Sequence, residues 1–128
     1  MFTSILLAID DSECAQRALA IAIDMALVHK AKLTIANVVD PVEPSIVAVA
    51  PYNTAQPFLE ALTENAHHLI DESTADAKAA GVLADGLILN GSPVATLVDL
   101  ARREHVDLVV IGSHGRKGFS RLIAGSVA

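Results

Sequence analysis

The segment from residue 112 to residue 126 reads Gly112-Ser113-His114-Gly115-Arg116-Lys117-Gly118-Phe119-Ser120-Arg121-Leu122-Ile123-Ala124-Gly125-Ser126. Glycines let a backbone turn sharply and come close to a ligand. Amide N–H groups freed by such turns can point at phosphate oxygens. Gly125-Ser126 would open a helix, and a helix start attracts anions. Between residues 108 and 128 there is no Asp or Glu, whereas Arg116, Lys117 and Arg121 fall there, in a chain of formal net charge −6. The chemistry on offer is phosphate binding. A plain glycine turn between strand and helix would share several of these features, so spacing and context decide the reading.

A second polar cluster, Asp10-Asp11-Ser12, follows the run Ser4-Ile5-Leu6-Leu7-Ala8-Ile9. Short, wholly apolar runs of this kind are expected of buried parallel strands. Ser12 is expected to cap a helix with its hydroxyl, and Glu13 suits the positive end of the helix dipole. Ala15, Ala18, Leu19, Ala22, Ile23, Ala26 and Leu27 then recur at helical spacing. Lys30 and Lys32 bracket the exit of that helix.

A second strand is predicted over 33–39. Residues 40–57 hold Pro41, Pro44, Pro51 and Pro57 and read as a long connection carrying the apolar patch Ile46-Val47-Ala48-Val49-Ala50. The helical period returns over 58–80 through Leu59, Leu62, Ala66, Leu69, Ile70, Ala77 and Ala80, with Gly81 as its C-terminal cap. A third strand is predicted over 86–90. Ser92-Pro93 starts the next helix, with a capping hydroxyl and a proline in the first turn. Val94, Leu97, Val98 and Ala101 form its buried stripe, and Arg102 and Arg103 sit near its negative end. A fourth strand is predicted over 107–111.

Alternating strands and helices imply an α/β domain, with an open parallel sheet covered by helices on both faces and right-handed crossovers. In such sheets a ligand lies beyond the carboxyl ends of the strands, where the strand order reverses. The polar cluster at residues 10–12 and the glycine segment from 112 both follow strand carboxyl ends. They face one another if the first and fourth strands are neighbours.

The spacing Gly112-x2-Gly115-x9-Gly125-Ser126 resembles the phosphate- and ribose-binding signature of the ATP-binding universal stress proteins, and Ile5 to Ser12 resembles that family's opening. The resemblance runs over the whole chain in element order. It implies a Rossmann-like fold of the adenine nucleotide alpha hydrolase type, with strand order 3-2-1-4. It also implies that Ala8, Ile9 and Asp10 contact adenine and ribose, with Asp10 as the carboxylate near the ribose or a metal ion. Val38 would touch adenine through its backbone. Ile111 and Gly112 would begin the phosphate loop, His114 and Gly115 line it, and Gly125, Ser126 and Val127 meet the phosphates. The implied ligand is an adenine nucleotide, ATP alone or ATP with Mg2+. The implied assembly is a homodimer, with the further protein partner unspecified. Family members continue with a complete helix and a fifth strand that makes the dimer contact, so residues 1–128 are expected to be a single domain lacking that strand through C-terminal truncation.

Other readings of the same residues fail on chemistry. A receiver domain needs a phosphoacceptor Asp ending the third strand, where this chain has Leu89-Asn90-Gly91. An ATP-pyrophosphatase loop needs serine and glycines directly after the first strand, and the Walker-type Gly-x4-Gly-Lys-Ser/Thr is missing. His67 and His68 are adjacent on a helix and point apart, so they do not readily share a metal. His29 and His105 sit near helix ends, and Cys14 in the first turn of a helix reads as a small core side chain. No Ser-His-Asp or Cys-His arrangement can be assigned from spacing.

Composition narrows the function classes. A chain that is 52% hydrophobic and 19% charged has material for a core. Its acidic balance disfavours nucleic acid, which needs clustered Lys and Arg. One cysteine permits no intrachain disulfide. No apolar run reaches the ~20 residues of a membrane helix. Asp10 and Asp11 break the first apolar stretch, against a signal peptide. A cytoplasmic, ATP-binding stress-response module is expected. The alternatives are a relative acting through protein contacts without nucleotide, and a slow ATP hydrolase, the last disfavoured because no base or nucleophile is identifiable.

Overall fold

The apolar runs lie side by side because a parallel sheet covered by helices buries both faces of its inner strands. The computed structural model describes residues 2–10, 12–39 and 52–112, with side chains described for 2–10, 12–39 and 60–112. The elements are β1 (Ser4–Ile9), α1 (Glu13–His29), β2 (Lys32–Val39), α2 (Tyr52–Ala79), β3 (Ala84–Asn90), α3 (Pro93–Arg103) and β4 (Leu108–Gly112). The strands form one sheet in the order β3-β2-β1-β4. All three pairings are parallel. The expected order 3-2-1-4 of a Rossmann-like sheet is therefore observed.

The two-residue period of the strands sorts the core into two layers. Ile5, Leu7, Ile9, Leu33, Ile35 and Leu108 pack with Ala15, Ala18, Leu19, Ala22 and Ala26 of α1 and Ile70 and Ala77 of α2. Leu6, Ala8, Ala36 and Val109 face the other way, onto Leu97, Leu100 and Ala101 of α3 and Val106 beyond it. Ile5, Leu6, Leu7, Leu33 and Ile35 are wholly buried. Each such side chain contributes about 1.5–3 kcal/mol relative to exposure. The alanines of α1 allow that helix to lie close against the sheet, which explains how so few aromatic residues suffice.

Several boundaries differ from those expected. Helix α2 begins at Tyr52 and runs through Pro57, six residues earlier than the expected start at 58. Proline there forfeits one backbone hydrogen bond, a cost the rest of a 28-residue helix outweighs. Strand β3 starts at Ala84, because ladder pairing with β2 continues through Leu33↔Ala84 and Thr34↔Asp85 whatever the side-chain polarity. Strand β2 starts at Lys32, which pairs with Ser4. Strand β4 is shifted by one residue: Asp107 spends its N–H on the Ser4 carbonyl at 2.8 Å, outside the strand, and Gly112 joins the ladder opposite Ile9.

The helix caps are also partly corrected. Neither Ser12 nor Ser92 makes a side-chain cap hydrogen bond, although both occupy the N-cap position and Pro93 opens α3 as expected. Gly81 does close α2, with φ +93°. Its N–H donates to Lys78 O at 3.0 Å, and Val82 N–H donates to Ala77 O at 3.0 Å. Lys30 ends α1 in the left-handed region with φ 54°.

Candidate functional site

The strand order reverses between β1 and β4, since β2 and β3 extend the sheet to one side of β1 and β4 lies on the other. That reversal opens a crevice at the carboxyl ends. The β1–β4 ladder ends on the pair Ile9↔Gly112. The polar cluster at Asp10 and the start of the glycine segment thus leave the sheet side by side, as the sequence suggested.

The expected site residues separate by face. Ala8, Val38 and Ile111 belong to the layer on the α3 side, with Ala8 buried and the other two half-buried. Ala8 pairs with Ala36 on β2 and with Ile111 on β4, so small side chains leave room between Val38 and Ile111. Ile9 points into the opposite layer, against α1. At the crevice Ile9 therefore offers only its backbone. Gly112 is buried and is the last residue of β4, not the first of a loop as expected. A Cβ on Gly112 would stand 2.6 Å from Ala18 Cβ and 2.9 Å from Ala15 Cα. The need for glycine at 112 is set by the close approach of α1 to the end of β4.

Asp10 is half-buried at the end of β1. Its Oδ1 accepts the Ser12 N–H at 2.9 Å, which turns the chain from the strand into α1. The bond is a turn of the Asx kind ahead of α1 and does not replace the cap expected of the Ser12 hydroxyl, since the N–H it satisfies belongs to the N-cap residue itself. Ser12 Oγ is instead buried without a hydrogen-bond partner.

One residue at the site was missed by sequence reading. Asn37 Nδ2 donates to the Ile9 carbonyl at 2.8 Å. The signal was present: a carboxamide inside the largely apolar run Leu33-Thr34-Ile35-Ala36-Asn37-Val38-Val39 needs a polar partner.

His114, Gly115, Gly125, Ser126 and Val127 lie outside the described residues, as do Asp11 and the apolar patch at 46–50. Among the described residues no group of three or more His, Cys, Asp or Glu could hold a metal ion. His67 and His68 are both exposed. No helix among the described residues is long and apolar enough to cross a membrane.

The titratable groups that do shift lie at the other end of the sheet. Asp107 Oδ2 accepts Thr3 N–H at 2.7 Å, Thr3 Oγ1–H at 2.9 Å and Ser4 N–H at 3.0 Å. The backbone N–H of Thr3, then that of Ser4 and the Thr3 hydroxyl, hold its carboxyl below the usual aspartate value. Lys32 and Asp85 form an exposed ion pair at 2.9 Å between β2 and β3. The charged hydrogen bond lowers the Asp85 pKa and raises that of Lys32. These groups fasten strands at their amino ends and leave the crevice to Asp10 and Asn37.

The profile of the universal stress protein family matches residues 1–128. A universal stress protein of Thermus aquaticus, from the 3′ region of a QAH/OAS sulfhydrylase, is 34% identical over 128 residues, covering 98% of this chain and 88% of the relative. The solved structure of universal stress protein UspA from Lactobacillus plantarum superposes with a TM-score of 0.75 at 27% identity, covering 97% of this chain and 86% of that one. A universal stress protein solved in complex with cAMP superposes with a TM-score of 0.67 at 25% identity, covering 93% of this chain and 82% of that one.

Proposed function

The chain belongs to the universal stress protein family, and from that premise we propose that it is an ATP-binding regulatory module of the stress response. The nucleotide lies across the carboxyl ends of β1 and β4. The observation that carries this reading is the ladder end Ile9↔Gly112 at the strand-order reversal, from which the acid-free glycine segment departs directly. The cAMP complex of a structural neighbour supports adenine nucleotide as the ligand class.

The residues present fit such a ligand. Half-buried Val38 and Ile111, with the small Ala8 and Ala36 between them, offer an apolar platform for a base. Asp10 offers a carboxylate for ribose hydroxyls. The family resemblance assigns the phosphate end to Gly115, Gly125, Ser126 and Val127, whose backbone N–H groups would serve it. The donor set among the described residues does not build a metal cage. Mg2+, where it accompanies ATP, would be held largely by the phosphates. Loading with nucleotide is the proposed activity, with at most slow hydrolysis.

Calorimetric titration with ATP, with and without Mg2+, tests the reading. Saturable one-site binding that is lost in Gly115→Val supports it. A folded protein that binds neither ATP nor cAMP overturns it in favour of a module acting through protein contacts alone.

A further inference from the structure

Two hydrogen bonds outside the strand ladder bracket Asp10. On one side, its own carboxylate accepts the Ser12 N–H at 2.9 Å. On the other, Asn37 Nδ2 donates at 2.8 Å to the carbonyl of Ile9, the oxygen of the peptide unit that joins Ile9 to Asp10. A carbonyl can only accept, so the carboxamide of Asn37 must present its NH2 here. The donor comes from β2, 28 residues away in sequence. The β1–β2 pairing ends at Ala8↔Ala36, one residue before Ile9, so Asn37 continues the tie between the strands with a side chain where the ladder stops.

We propose that Asn37 is a positioning residue for the ligand site: it fixes the Ile9–Asp10 peptide plane and so holds the Asp10 carboxylate where it can accept a hydrogen bond from the ribose of a bound nucleotide. The inference deepens the proposed nucleotide site and rests on that reading. Its physical basis is preorganisation. The Ser12 N–H holds the carboxylate's own torsions, but the backbone that carries it has just left a sheet, and each freely rotating torsion there must be immobilised when the ligand binds. Fixing the peptide plane beforehand removes that cost for the ribose contact. It does nothing for contacts made by the base on Val38 and Ile111. The loss of Asn37 should therefore be felt selectively, at the sugar.

The test compares ATP with 2′-deoxy-ATP by calorimetric titration, in wild type and in Asn37→Ala and Asn37→Asp proteins, with thermal unfolding measured alongside. Asn37→Asp keeps the shape of the side chain and removes the donor, while Asn37→Ala avoids placing an acceptor against the Ile9 carbonyl. Wild type is expected to bind ATP about tenfold more tightly than the deoxy nucleotide, as one hydrogen bond to a charged group provides. Both variants should bind the two nucleotides within about twofold of each other while retaining affinity for the deoxy form. Asp10→Asn should lose the same preference, and adding Asn37→Ala to it should cost no further preference. Equal weakening of both nucleotides in folded Asn37→Ala protein, with the ratio intact, overturns the positioning role and leaves Asn37 as a strand fastener. A wild type that binds both nucleotides equally overturns it as well, while the nucleotide site itself stands. A wild type that binds neither overturns the site and the inference together.

Discussion

Gly112 at the end of β4 lies so close to Ala18 of α1 that a Cβ built on the glycine would stand 2.6 Å from the alanine Cβ. Ala15 Cα is only slightly farther, at 2.9 Å. Both helix positions are buried. Gly112→Ala should therefore destabilise the domain by roughly 1–3 kcal/mol, the usual cost of overpacking a filled interior. Ala18→Gly should recover part of that loss in the double variant, which denaturant unfolding measures. Absence of any recovery would place the clash on the backbone of Ala15. Impaired ligand binding in a Gly112 variant must accordingly be read beside its stability.

The Asp107 carboxylate joins the residue before β4 to the start of β1 through three donors from Thr3 and Ser4. Its pKa is lowered in the folded state. A depressed carboxyl pKa contributes stability that is whole above the ordinary aspartate value of 3.8 and is lost as pH falls through the lowered folded value. Asp107→Asn should lower the melting temperature at neutral pH. It should also flatten the dependence of stability on pH in that acid window. Parallel acid profiles for the two proteins would show that the contacts of Asp107 do not persist in solution.

Thr74 Oγ1 on α2 is buried with no hydrogen-bond partner. Valine has nearly the same shape and no hydroxyl to desolvate. Thr74→Val should raise stability by about 1 kcal/mol, readable as an increase in the denaturation midpoint at unchanged slope. A loss of stability would mean that the hydroxyl is satisfied in solution. The site also adjoins Gly86, where an added Cβ would collide with Ile70 and stand 2.8 Å from Thr74 Oγ1. Gly86→Ala is thus expected to destabilise.

Asp10 has two roles that substitution can separate. Asp10→Asn retains an oxygen for the Ser12 N–H and removes the charge, so it should weaken ATP binding about tenfold with little change in melting temperature. Asp10→Ala removes the oxygen as well and should lower both. Equal losses of stability in the two variants would make Asp10 a structural cap before α1. Gly115→Val, in the glycine segment, should abolish nucleotide binding in a protein that still folds, because a β-branched side chain fills the space proposed for phosphate.

The architecture was legible in the chain itself because it rests on local periods. Six-residue apolar runs such as Ser4–Ile9 and the alanine-rich stripe of α1 announce strand and helix wherever they sit, and alternation of the two admits few folds. The spacing Gly112-x2-Gly115-x9-Gly125-Ser126 was likewise enough to point to the family, since it is a property of the chain and not of its neighbours. Local signals failed where a partner came from elsewhere. Ser12 was read as its own cap, yet the turn is made by Asp10. Pro57 was read as part of the connection before the helix, yet α2 runs through it.

What only the tertiary structure decided is which residues meet. Asp107 finds Thr3 across 104 residues, and Asn37 finds Ile9 across 28. Gly112 is a glycine because of Ala18, whose closeness no period reveals. Periodicity reports which face of an element is buried, but not what lies against it. Parallel strands are joined by crossovers of a dozen or more residues, so the groups that share a strand end are necessarily distant in sequence. Strand order and register bring them together, and these are settled by packing of the whole sheet.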